Sequence, residues 1–148
     1  QLAVMTSRIA TGRALTPRLI KSINAEEIVQ EAGVLDINPD HLNYVREGMW
    51  AVTNGRHGSA RSSRVVADGM ELAGKTGTSQ VRNITAAERA RGVTSNDDLP
   101  WNRRDHALFV CYAPYDRPQV ACSVVVEHGG GGSAVAAPIA PSPTTARS

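Results

Sequence analysis

Two apolar runs, His106 to Ala113 and Gln119 to His128, are joined by Pro114-Tyr115-Asp116-Arg117-Pro118, and this pairing constrains the chain more than any other feature. The proline-rich connector is too short for a crossover, so the runs must pair as an antiparallel hairpin. A turn centred between Asp116 and Arg117 sets Cys111 opposite Cys122 and His106 opposite Glu127, and a one-residue bulge would undo both pairings. Both strands are apolar on both faces, which predicts a place in the middle of a sheet covered on two sides by helices, an α+β arrangement. A chain of 148 residues with 41% hydrophobic content is enough for one domain with a core.

The remaining elements follow from caps and periodicity. Leu2, Met5 and Ile9 at helical spacing before Thr11-Gly12 predict a helix over residues 1 to 12 that begins upstream of residue 1 and ends at a C-cap glycine. Thr16 to Ile23, introduced by Pro17, reads as extended. Asn38-Pro39 starts a second helix whose face is Leu42, Val45, Met49 and Val52 and which stops at Asn54-Gly55. Residues 56 to 69 read as a loop with a brief strand at Val65 to Ala67, and Met70 to Val81 as a strand. The polar excursion from 82 to 105 holds a short helix at Thr85 to Ala90, where Thr85 and Glu88 form a capping box. After a flexible turn at Gly129 to Gly132, Ser133 caps a short helix to Ala140, and the proline-rich residues 141 to 148 read as a disordered tail.

Charge and cysteine content narrow the function classes. The net charge of +2 comes from interspersed residues, with six aromatic side chains in all, a pattern that argues against nucleic acid as a partner. Two cysteines are too few for a disulfide framework, and neither they nor the four unclustered histidines have metal-site spacing. Directly opposed cysteines leave a Cys111 to Cys122 disulfide open. His106 and Glu127 read as a structural polar contact at the sheet. No apolar stretch is long enough to cross a bilayer and no signal peptide is visible, so work outside the cytoplasm would need a targeting segment beyond this sequence.

The candidate site is Gly74-Lys75-Thr76-Gly77-Thr78-Ser79. In a chain with 14 arginines and two lysines, Lys75 stands among residues small enough for another molecule to lie against the backbone. One reading is a nucleotide-binding P-loop, since Gly69 to Thr76 satisfies G-x-x-x-x-G-K-[ST]. That motif needs a helix opening at the lysine, and Thr-Gly-Thr-Ser-Gln-Val is poor helix material. The other reading is K-T-G, the third signature of penicillin-interacting serine enzymes beside S-x-x-K and S-x-N. Here a substrate peptide adds along a strand edge, Gly77 leaves it room, and Lys75 and Thr78 supply charge and hydroxyl for its terminal carboxylate.

Gly74 to Val81, Asp105 to Val110, Ala113 to Asp116 and Val126 to Ser133, with Gln1 to Thr6 and Arg46 to Met49 earlier, together resemble the C-terminal part of the penicillin-binding protein 2 family of class B D,D-transpeptidases. The resemblance runs from residue 1 to about 140. It implies part of a serine transpeptidase fold, an antiparallel sheet flanked by helices with K-T-G on the strand lining the cleft. It further implies acyl transfer from the D-alanyl-D-alanine end of a peptidoglycan stem peptide, inhibition by β-lactams, no cofactor and no metal. Lys75, Thr76, Gly77 and Thr78 would bind substrate, with Lys75 and the strand at Thr78 serving the oxyanion. The implied partners are the N-terminal remainder of the domain and a membrane glycosyltransferase of the elongation machinery, at the periplasmic face of the bacterial inner membrane.

The departures are specific. No S-x-x-K occurs, so the nucleophile and its activating lysine lie outside the chain, which alone is expected to be inactive. Ser22-Ile23-Asn24 spells S-x-N by chance, at the wrong distance from K-T-G. Prolines stand where the family carries a longer final helix, and Cys111 and Cys122 stand where small residues are expected. A noncatalytic interaction module that kept the sheet is the remaining alternative.

Overall fold

A computed structural model describes residues 1–29 and 31–140. In chain order it contains α1 (Leu2–Thr11), the short strands β1 (Ser22–Ile23) and β2 (Glu26–Glu27), α2 (Pro39–Asn54), β3 (Ala73–Ser79), α3 (Ala86–Arg91), β4 (His106–Ala113) and β5 (Val120–Val126). A wide π-type turn at Gly132–Ala136 and a tighter one at Ala137–Ile139 follow. The predicted tail at 141–148 lies outside the described residues.

The sheet has the order β3-β4-β5, antiparallel throughout, with Cys111 facing Cys122 as the turn geometry requires. The central strand β4 carries the core on both faces. Ala107, Phe109 and Cys111 pack with Ala60, Leu72, Ala136 and Ala137 on one side, while Tyr112 packs with Ala10, Met49 and Ala73 on the other. The hairpin is therefore only half interior: β5 is the edge of the sheet among the described residues, with Val120 and Val125 exposed.

Capping explains where the helices stop and start. Gly12 takes the left-handed conformation at φ 70° and returns its N–H to the Arg8 carbonyl, while the Asn38 side chain accepts from the Asp40 amide. The face of α2 differs from the expected one. Val45 is exposed and Arg46 turns inward, its Nε donating 2.8 Å to the Ile9 carbonyl near the end of α1. A guanidinium can cover apolar surface with its stem while satisfying a helix-end carbonyl, so it outcompetes valine there. The C-terminal end of α2 holds the entry to β3: Thr53 Oγ1 and Asn54 Nδ2 both donate to the Leu72 carbonyl, Asn54 at 2.8 Å.

Other expectations are corrected. Val65 to Ala67 forms no strand, and the loop is instead organised by a single helical turn at Arg61–Ser63. Ser133 caps nothing, because the final turn begins at Gly132 without a side-chain cap. The extended reading of 16 to 23 holds only at Ser22–Ile23, in a tight hairpin turning through Asn24 and Ala25 at positive φ.

Both cysteines are free, Cys111 buried and Cys122 exposed. Burial, with the neighbouring Cys122 thiol, pushes the Cys111 thiol up to about 12, and burial pushes the Tyr112 phenol up to about 12 as well. Alkylation of the folded protein at pH 8 should therefore modify Cys122 and spare Cys111 until denaturant is added, as peptide mass mapping would report. The same groups set a sign for alkaline stability. Above the unfolded values of 9.0 and 10.0 the unfolded chain loses these protons while the fold retains them, so stability should fall as pH rises from about 9 toward 12. A denaturation midpoint that stays level over that window would contradict the assignment.

Candidate functional site

Side chains on β3 alternate, so Lys75, Gly77 and Ser79 share the sheet face of their partners Val110, Leu108 and His106, and Thr76 and Thr78 lie on the opposite face. Lys75 and Thr78 are exposed, and Thr76 and Gly77 are half-buried. The Lys75 ammonium donates 2.7 Å to the carbonyl of Thr76, and the Thr76 hydroxyl lies 3.2 Å from that of Ser59. The four residues singled out from the sequence are thus consecutive on one strand, whose outer edge no other strand covers among the described residues.

Which backbone groups face that edge follows from Gly132. A Cβ built on Gly132 would lie 2.3 Å from both the Gly77 and Leu108 carbonyl oxygens and 2.9 Å from Gly77 N. Three atoms can converge on one point this way only where Gly77 and Leu108, partners in register, turn their polar groups toward each other. Antiparallel alternation then directs the N–H and C=O of Thr76 and Thr78 away from β4, to the edge that no strand covers among the described residues. Donors, acceptors, a cation and hydroxyls are all available there to an extended peptide with a carboxylate end.

The P-loop reading fails on this geometry. Lys75 sits in the third position of a strand, and a turn ending at Gly69 at positive φ, followed by the irregular Met70 to Leu72, leads into it. No helix opens at the lysine, so there is no ring of amides to hold a phosphate.

The exit of β3 is braced by the excursion from 82 to 105, whose two ends meet. Val81 N donates 3.3 Å to Asp105 Oδ1, Asp105 N donates 2.8 Å to Asn96 Oδ1, and Gly130 N donates 2.8 Å to the Asp105 carbonyl. Within it, Arg82 makes a two-pronged pair with Glu88 at 2.8 and 2.6 Å, which lowers the Glu88 carboxyl to about 2. The Thr85 hydroxyl accepts from Glu88 N at 3.2 Å, so half of the expected capping box forms, and Arg82 takes the carboxylate that would have closed the other half.

His106 does not meet Glu127, which is exposed. Instead His106 Nδ1 accepts 2.9 Å from the backbone of His128, whose own Nδ1 donates 2.9 Å to the Arg104 carbonyl. His128 has φ 55°, a left-handed kink that ends the strand before the facing pair can form. Trp101 packs edge-on against the His128 ring at 4.4 Å between centroids. Sequence spacing placed both histidines near the strand ends but carried no sign of the kink. The sequence contains no S-x-x-K motif.

Comparison with known proteins agrees with this architecture. The family model described as the penicillin binding protein transpeptidase domain matches residues 1–142. The peptidoglycan D,D-transpeptidase MrdA of Haemophilus influenzae is 33% identical over 148 aligned positions, covering 91% of this chain and 21% of that protein. Among solved structures, penicillin-binding protein 2 of Pseudomonas aeruginosa in complex with WCK 5153 superposes with a TM-score of 0.69 at 35% identity, covering 93% of this chain and 27% of that one. Penicillin-binding protein 2 of Helicobacter pylori in complex with MreC gives 0.68 at 31% identity, covering 92% and 22%. The chain thus spans about a fifth to a quarter of the relatives it matches.

Proposed function

This chain belongs to the penicillin-binding protein transpeptidase domain family, and on that premise we propose that it is the substrate-clamping part of a peptidoglycan D,D-transpeptidase of the penicillin-binding protein 2 type. The observation that carries the reading is the open edge of β3, with the backbone of Thr76 and Thr78 turned outward beside the Lys75 ammonium.

In the reaction, a serine supplied by the N-terminal remainder of the domain attacks the carbonyl between the two terminal D-alanines. The hydroxyl proton passes to an activating base, and the D-alanine amine leaves with a proton. A stem-peptide amine then attacks the acyl-serine ester and restores the hydroxyl, forming the cross-link. The substrate lies along β3 as an added strand, Gly77 leaving space for its side chains. Lys75 attracts the terminal carboxylate and, with the hydroxyls of Thr76 and Thr78, orients it. The outward Thr78 N–H meets the negative charge that develops on the attacked carbonyl oxygen. One preorganised donor of that kind contributes about 3 kcal/mol to lowering a barrier. β-Lactams enter by the same route, because they present a reactive carbonyl next to a carboxylate. The site of action is the periplasmic face of the bacterial inner membrane, with a membrane glycosyltransferase of the elongation machinery as partner.

Labelling with a fluorescent penicillin tests the assignment. This chain alone should remain unlabelled, and the complete protein carrying S-x-x-K and S-x-N upstream should be labelled at one serine. A complete protein that folds but never acquires the label would instead identify a noncatalytic interaction module.

A further inference from the structure

We propose that Gly132, outside the K-T-G strand, is a positioning residue for the oxyanion-facing amide of Thr78; this rests on the function proposed above. The carbonyl of Gly77 and the N–H of Thr78 belong to one peptide unit, which is planar and rigid. Its oxygen points to β4 and its N–H to the open edge, so a tilt imposed on one end is delivered to the other.

Gly132 is the residue that touches the inner end. It is buried, at the start of the turn Gly132–Ala136, which packs across β3 and β4 from the Phe109 face. A methyl on it would come within 2.3 Å of the Gly77 oxygen, a distance real Cβ atoms do not reach, and the obstructing atoms are all backbone. No side chain can swing aside to relieve such a contact, so the ladder or the turn has to shift. The turn has little room to retreat, since Ala136 and Ala137 behind it are fully buried against the sheet. It is also tied from the other side, through Gly130 N to the Asp105 carbonyl and His128 N to His106. Glycine therefore seats the C-terminal turn directly on the peptide unit that the reaction uses, from the face away from Lys75. By contrast, Gly131 has nothing within 4 Å of the position its Cβ would take and an ordinary φ of −88°.

The test uses the complete transpeptidase, with stopped-flow acylation by a fluorescent penicillin resolved into a reversible dissociation constant, an acylation rate constant and a burst amplitude. Gly132→Ala should lower the acylation rate constant by roughly 30-fold or more, with the dissociation constant changed by less than about threefold, because the loss is confined to the transition state. Gly131→Ala should match the wild type in all three. A role in folding alone would reduce the burst amplitude, the fraction of competent enzyme, and leave the rate constant untouched. Ala136→Gly, which removes a methyl from the same seat and cannot clash, provides the second arm and should slow acylation about three- to tenfold. Wild-type rate constants in folded Gly132→Ala, or in Ala136→Gly where Gly132→Ala does not melt cooperatively, would overturn the positioning role while leaving the function standing. An unlabelled wild type would overturn both.

Discussion

Lys75→Ala in the complete transpeptidase should slow acylation by a β-lactam at least 100-fold while moving the melting temperature by no more than a degree or two. The two halves of that expectation come from different observations. Lys75 is exposed, and among the described residues its ammonium bonds only the carbonyl of the next residue, a contact that water replaces at little cost. In the proposed role it meets a bound carboxylate and a developing oxyanion, where water is displaced and a charge-assisted hydrogen bond contributes about 3 kcal/mol, or about 100-fold in rate. Lys75→Arg should recover only a small part of the rate. The planar guanidinium keeps the charge but cannot place it as a compact point beside the Thr76 carbonyl. Acylation of Lys75→Ala at the wild-type rate would remove Lys75 from the mechanism, though not the open edge of β3.

The second large effect is on stability. A Cβ at Gly74 would stand 2.4 Å from Cζ of Phe109 and 2.9 Å from both its Cε2 and the Val110 carbonyl. Phe109 is completely buried in the central strand, between the final turn and the loop after α2, so its ring has nowhere to go. Gly74→Ala should thus destabilise the domain by about 3 kcal/mol or more, the upper range for overpacking a core, visible as a shift in denaturation midpoint with the slope unchanged. Phe109→Leu alone should cost about 1–3 kcal/mol for the lost contacts and the space left behind. Combined, the two should be less damaging than the sum of the singles, because the smaller side chain vacates the volume the new methyl needs. Strict additivity would mean that Gly74 and Phe109 do not share this space.

How much of this was legible beforehand depended on whether the controlling feature was local. The strand register was, because a turn centred in the short connector at 114–118 with no bulge sets Cys111 opposite Cys122, and that opposition is observed. The ends of α1 and α2 were, because Gly12 and Asn38 satisfy helix termini through bonds a few residues long. The buried face of α2 was not: periodicity favours Val45, and the choice of Arg46 depends on a carbonyl of α1 distant in sequence. The His106 to Glu127 pairing failed for a related reason: histidine enters the left-handed region more often than most residues but usually stays out of it, and at His128 the kink goes with bonds to His106 and to the Arg104 carbonyl, both distant in sequence. At the site, the K-T-G residues were legible as types. The direction in which Thr76 and Thr78 present their backbone, and the role of Gly132 in fixing it, came only from the packing of a turn more than fifty residues downstream.

The closed base of the excursion between β3 and β4 has a consequence for how this scaffold can diversify. Because Ser79 sits across from His106 and Asp105 clasps both Val81 and Asn96, the chain departs and returns at adjacent points. Residues can be added or removed beyond that clasp with only the slow entropic cost of a longer closed loop, and the strand carrying Lys75 would not register the change. The excursion is thereby an interchangeable accessory mounted beside a fixed grip, free to acquire new neighbours without recalibrating the chemistry next to it.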